Sequence, residues 1–287
     1  MVSELLTPFF YSYMINAMCV SSLVGGLCAF LSAYLMLKGW SLIGDALSHS
    51  IVPGVAGAFI IGVPFSIGAF FAGGLAVLTM LFLNKRTRLK PDVIIGLIFT
   101  SFFGLGLFLI SLFPMSVDIQ VIIMGNILTV TPEDTLQLLI IGVPSLLILS
   151  LKWKDFLITF FDENHAKTIG LNTDILKVVF FIILSLSSVA ALHTVGAFLV
   201  IALVVTPGAT AYLLTNKFSN LIIISVFIGI TSCFAGTYLS FFVNGATGGL
   251  IILIQTLIFL LVFLIAPKYG YLSAKLRVIR SSESPNG

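Results

Sequence analysis

The chain has 287 residues, of which 59% are hydrophobic and only 9% charged, and its mean hydropathy is +1.19. A soluble domain is about 45–50% apolar and about 25% charged, so no soluble fold of this length hides so much apolar surface and the solvent must be lipid. The net charge of +3 comes without a basic stripe carrying interleaved aromatics, which argues against nucleic acid as a partner.

The opening residues, MVSELLTPFF, lack the basic n-region and small-residue cleavage site of a signal peptide. A membrane span needs about 20 apolar residues. Runs of that kind predict nine transmembrane helices, at 12–37, 46–62, 66–83, 92–113, 133–151, 175–192, 196–214, 219–242 and 247–266. Residues 5–15 also suit an interfacial helix leading into the first span, which would leave eight. The breaks carry Pro, Gly, Asn or charge, as helix ends do. Gly62-Val63-Pro64 and Thr215-Asn216-Lys217 are short enough to make their flanking spans antiparallel neighbours. Small residues recur within spans, with Gly25, Gly26, Ala29 and Ala33 in the first and Gly68, Ala72 and Ala76 in the third. Such faces let helix backbones approach closely in lipid. The three cysteines, Cys19, Cys28 and Cys233, lie in apolar runs without metal-ligand or disulfide spacing and read as packing residues. No fixed-period repeat or second domain is visible. Residues 1–287 therefore read as one transmembrane domain, an all-α polytopic bundle.

Lys and Arg stay in cytoplasmic loops. With the N-terminus outside and the C-terminus cytoplasmic, all 14 basic residues fall on the inner side. The opposite orientation would put every one of them outside.

Every acid except Asp45 lies in a loop or at a helix end. Asp45 opens the second span and His49 follows four residues later, so on a helix the two share a face about 6 Å apart along the axis. An ionisable residue inside a membrane segment is costly and points to function. Carboxylate oxygen with imidazole nitrogen suits Mn(II), Zn(II) or Fe(II), and the lack of thiolate tilts the choice to manganese, then zinc or iron. Two ligands do not complete a site, but a symmetric homodimer would supply four around a central path. The competing structural reading makes Asp45 a helix cap.

Between the fifth and sixth spans, FDENHAKTIGL at 161–171 predicts a two-turn surface helix. Asp162 is a good N-cap, Lys167 sits in the last turn and Gly170 is a good terminator. His165 on it reads as a surface residue. The external loop Pro114–Pro132 contains VIIMGNIL at 121–128, the length of a re-entrant or interfacial helix, which makes Gly125 and Asn126 candidates for an outer gate or docking point.

The run LMLKGWSLIGDALSHSIVPG at 35–54 resembles the signature of the zinc/manganese permease family of ATP-binding-cassette transporters. A second stretch, TVGAFLVIALVVTPGATA at 194–211, resembles that family's Gly-rich opening of a span that closes in Pro and small residues. The likeness extends over nearly the whole chain. It implies a homodimeric permease in a prokaryotic plasma membrane, with two cytoplasmic ATP-binding subunits and an extracytoplasmic metal-binding protein as partners. It implies no resident cofactor, the divalent metal being cargo. Asp45 and His49 would line the ion pathway. The helix with Asp162, Glu163, His165, Lys167 and Gly170 would dock into the ATPase, with Asp162 and Glu163 available to pair with its basic residues. His193 departs from the family pattern, which often has a basic residue or Gln there, and is a candidate external gate residue. No G-x-x-x-x-G-K-[ST] phosphate loop occurs in the chain, so ATP hydrolysis falls to a separate subunit. Import of a metal chelate, an ATPase-independent secondary carrier and an intramembrane hydrolase are the alternatives. A carrier would call for more intramembrane charges, and a metal-dependent enzyme for at least three protein ligands.

Overall fold

The computed structural model describes residues 6–40, 42–113 and 127–266, and among them all regular structure is helical. A 3-10 turn, Thr7–Phe10, precedes α1 (Ser12–Lys38), a full span of 27 residues. The first segment is thus long and apolar enough to cross a membrane, with a short 3-10 turn ahead of it. The second span is two helices, α2 (Ile43–Ser50) and α3 (Val52–Ile61). Then come α4 (Phe65–Arg86), α5 (Pro91–Leu112), a 3-10 turn Ile127–Thr129 and α6 (Pro132–Leu151). Two short helices follow, α7 (Trp153–Phe161) and α8 (Glu163–Thr168). The chain continues through α9 (Thr173–Val195), α10 (Ala197–Leu214), α11 (Phe218–Val243) and α12 (Thr247–Ile265). Counting Ile43–Ile61 as one, nine helical segments among the described residues are long and apolar enough to cross a membrane.

The core is built around α1, which packs along α10 and α11. A Cβ on Gly25 would stand 2.6 Å from the Gly229 carbonyl oxygen, so α1 and α11 cross at backbone contact. Hydroxyls stitch this crossing: Ser225 Oγ donates to the Ala29 carbonyl at 2.7 Å, and Ser21 and Thr237 share a hydrogen bond at 2.9 Å. On the other side, Gly208 N–H donates to Ser32 Oγ at 3.0 Å, next to the helix-interior Pro207. In lipid there is no hydrophobic force between helices, so close backbone approach and interhelical hydrogen bonds carry the association.

α9 ends where Gly196 adopts φ 86°, ψ 160°, a conformation closed to other residues, and α10 starts directly after it. At the end of the bundle where α1 finishes, Tyr34 is the centre of an aromatic cluster. Its ring meets Phe30, Phe156, Phe160, Phe180 and Phe218, and its hydroxyl donates to the Trp153 carbonyl at 3.1 Å. Phe156 and Phe160, one turn apart, staple α7 to the bundle there. The apolar runs alone predict no helix at 153–161. The charges of Lys152, Lys154 and Asp155 make that stretch look like loop, although its aromatic spacing is helical.

Candidate metal pathway and coupling helix

The second span begins at Ile43, three residues earlier than its apolar run suggests, and this places Asp45 and His49 both within α2. The helix is then interrupted at Ile51. Pro53 has no N–H to give to the carbonyl four residues back, which is that of His49. That carbonyl instead accepts from Ile51 N–H at the junction of the two helices, where Ile51 itself keeps helical dihedrals, φ -74° and ψ -26°. The His49 imidazole therefore stands at the last turn of a short helix, beside a joint in a membrane span.

Around the joint, packing is tight on three sides. A Cβ on Gly54 would meet the Gly68 carbonyl oxygen at 2.1 Å, so α3 lies against α4 with no room for a side chain. A Cβ on Gly44 would reach Val204 of α10 at 2.9 Å, and one on Gly106 of α5 would come within 2.7 Å of Val52 and 2.9 Å of the Pro53 nitrogen. Ser48 and Ser50 are buried, and each satisfies its hydroxyl by donating back to a helix carbonyl, of Gly44 at 2.9 Å and Ala46 at 2.6 Å. The hydroxyls flanking His49 are thus already engaged, leaving the carboxylate and the imidazole as the open polar groups of α2.

His49 Nδ1 lies 3.1 Å from the Asp45 carbonyl oxygen and 3.4 Å from Asp45 Oδ1. Both are acceptors, so Nδ1 carries the hydrogen and donates, and the lone pair of a neutral ring sits on Nε2. Leu42 is the N-cap of α2, and Asp45 lies three residues inside the helix, pointed at His49. The capping reading of Asp45 finds no support. The side chains of His49 and Asp45 are 28% and 44% exposed on the isolated chain, an open position for two polar groups of a membrane span. Among the described residues no three His, Cys, Asp or Glu side chains come together, so the pair has no further ligand of its own chain there.

The predicted surface helix is α8. Asp162 Oδ1 accepts from His165 N–H at 3.0 Å as its N-cap. At the other end Gly170 N–H donates to the Lys167 carbonyl at 3.1 Å and Leu171 N–H to that of Ala166 at 3.0 Å, with Gly170 at φ 86°. These two bonds with a left-handed glycine are the Schellman closure. His165 is exposed, as expected of a surface residue. Glu163, expected to be available to the ATPase, already has partners of its own. It is bound within the chain, to Lys167 at 2.9 Å and to Lys177 of α9. Burial alone would push the Glu163 carboxyl up. The hydrogen bonds from Lys177 and Lys167, reinforced by their charges, outweigh it and hold the group down at about 2. No local pattern signals this contact, because Lys177 lies in an apolar run on another helix. Gly125 and Asn126 lie outside the described residues. The main chain of His193 falls near the end of α9, and its side chain also lies outside the described set.

A single bundle of apolar helices with a carboxylate–imidazole pair inside one span, and a capped surface helix anchored to the bundle, defines a polytopic membrane transport subunit. The chain belongs to the ABC 3 transport family, which matches residues 10–266. It is 59% identical to a chelated iron transport system membrane protein of Yersinia pestis, over 96% of this chain and 94% of that one. It is 44% identical to a manganese transport system membrane protein of Synechocystis, over 98% of this chain and 92% of that one. Among solved structures it resembles PsaBC from Streptococcus pneumoniae in complex with Fab, with a TM-score of 0.83 and 36% identity over 96% of this chain and 100% of that one. The chain is accordingly a non-catalytic permease subunit of the ATP-binding-cassette type, multi-pass in the bacterial inner membrane, working with other subunits.

Proposed function

We propose that this permease imports a divalent transition metal ion, manganese first, then zinc or iron, along a path lined by Asp45 and His49. The observation that carries the reading is the pair itself: a carboxylate and an imidazole one turn apart within a membrane span, open on one face of the isolated chain. Oxygen and nitrogen donors without thiolate suit these ions, manganese above all. The names of the relatives divide between iron or chelated iron and manganese transport systems, which supports a transition metal as cargo. A second copy of the chain facing the first would cover the open pair and bring the donors to four, which supports a homodimer. Two cytoplasmic ATP-binding subunits would drive it, and an extracytoplasmic metal-binding protein would feed it. Gathering all 14 basic residues on one side supports an external N-terminus and a cytoplasmic C-terminus. That orientation puts α8 on the cytoplasmic face, where Asp162, His165, Lys167 and Gly170 shape the docking helix and Glu163 ties it to α9. Gly125, Asn126 and His193 stay candidates for the external gate. The ion is cargo and passes through, so the site must hold it weakly enough to release it.

Reconstitution in vesicles tests the reading. With the ATPase and binding protein present, ATP should drive accumulation of one of Mn(II), Zn(II) or Fe(II). Without the ATPase, none should enter. Uptake independent of the ATPase would make the chain a secondary carrier. The chelated iron system named for the Yersinia relative keeps a second reading in play. Uptake of a ferric chelate, with all three bare ions ignored, would establish it.

A further inference from the structure

The ring of His49 is held from a different helix. Phe99 and Phe103 of α5 meet it in T-shaped contacts, with ring centroids at 5.1 and 5.3 Å and interplanar angles of 72° and 74°. The two phenylalanines are themselves stacked, at 5.9 Å and 5°. With Gly106 they occupy positions i, i+4 and i+7, one face of α5. Gly106 is the residue pressed against Val52 and the Pro53 nitrogen, so this face grips the α2–α3 joint and the imidazole together. On its own helix, the ring is held through Nδ1 by the Asp45 carbonyl. The imidazole is thus held at Nδ1 by the Asp45 carbonyl and in its orientation by two T-shaped ring contacts, and Nε2 is the nitrogen left to meet an ion.

We propose that Phe99 and Phe103 are positioning residues of the metal pathway, holding the His49 ring so that Nε2 faces the ion while Asp45 orients the opposite edge. This rests on the reading of His49 as a pathway ligand. A metal-ligating imidazole whose other nitrogen is hydrogen-bonded and whose plane is fixed gives up less freedom on binding. An edge-to-face aromatic contact corresponds to roughly a two- to tenfold factor in an equilibrium. Loss of either ring should therefore weaken ion capture by about that much, and loss of both by more. The maximal rate, set by the ATPase cycle, should hold. Because α5 grips the joint and the ring with one face, any shift of α5 against α2 also turns His49, which links release of the ion to movement of that helix.

The test uses the complete transporter in cells and the ion among Mn(II), Zn(II) and Fe(II) that the wild type accumulates. Phe99→Leu and Phe103→Leu keep apolar bulk and remove the ring, whereas Phe103→Tyr keeps the ring. Uptake against ion concentration is fitted for half-saturation and maximal rate, each normalised to membrane level, with His49→Ala in parallel. The expected result is a half-saturation concentration raised about two- to tenfold in each Leu variant, near wild type in Phe103→Tyr, with maximal rate unchanged. Leu variants that match wild type in half-saturation, or that lose only maximal rate, overturn the positioning role while a dead His49→Ala leaves the pathway reading standing. A His49→Ala variant with normal uptake overturns both.

Discussion

A methyl group added at Gly54 has no space to occupy. Its Cβ would lie 2.1 Å from the Gly68 carbonyl oxygen and 2.6 Å from the Ala72 Cβ, where ordinary contact begins at 3.4 Å. Both obstacles belong to α4, and the nearer one is main chain, which cannot swing aside like the tip of a side chain. Gly54→Ala therefore forces α3 and α4 apart by about 1 Å or bends one of them, at the upper end of the roughly 1–3 kcal/mol that overpacking costs. Gly104→Ala on α5 is the matched control. Nothing lies within 4 Å of its added Cβ, and it gains up to about 1 kcal/mol of helix propensity. Thermal unfolding of the detergent-solubilised protein, followed by loss of the monodisperse chromatographic peak, should fall by about 5–10 °C for Gly54→Ala. It should stay level or rise slightly for Gly104→Ala. Gly68→Ala, whose Cβ would meet the Gly54 carbonyl oxygen at 2.1 Å, should behave like Gly54→Ala. A Gly54→Ala protein that melts with the wild type would refute the backbone contact between α3 and α4, and with it the firm seating of the His49 joint.

Other consequences follow from α8. Glu163→Gln should lower the metal moved per ATP hydrolysed, because it loosens α8 from α9, and the swapped pair Glu163→Lys with Lys177→Glu should recover part of it; equal coupling ratios in all three would deny the anchor a role. The Glu163 carboxyl is held near 2 instead of its ordinary 4.5, so the anchor is fully present above about pH 5 and is lost as pH falls through 4.5 toward 2. Hydrogen exchange of α8 amides, corrected for intrinsic rate, should then be flat from pH 5 to 8, and a step within that window would contradict the assignment. Asp162→Ala removes the side-chain cap of α8 and costs about 0.5–2 kcal/mol, whereas Asp162→Ser keeps a capping oxygen. Exchange at His165 should quicken for the first substitution and barely change for the second.

Much of this architecture is written in local chemistry. The nine apolar runs and the Pro, Gly and charged breaks between them locate the spans to within a few residues, because lipid imposes the same length on each. Asp45 and His49 are legible as a pair because four residues on a helix is one turn, and α8 because its caps are local residues. The ends of α2 are less legible. Gly44 and Asp45 dilute the apolar run, so it suggests a start at 46, while the helix begins at Ile43. Pro53 marks a break and, four residues back, names His49 as the carbonyl it frees, but only the structure shows that Ile51 N–H takes that carbonyl up. α7 escaped because its charged first turn outweighs an aromatic stripe that only Tyr34 and Phe180 reveal as buried. Contacts between distant segments are the part no local pattern encodes. Phe99 and Phe103 are two of 26 phenylalanines, and nothing along the chain singles them out as the pair that meets His49.

Metal accumulation by cells expressing this chain with its ATPase and binding protein tests the central claim most directly, comparing wild type with Asp45→Asn and His49→Ala at matched membrane levels. The account predicts that accumulation of one transition metal falls to background in both variants. Undiminished uptake in both would contradict it and leave the pair a structural feature of α2.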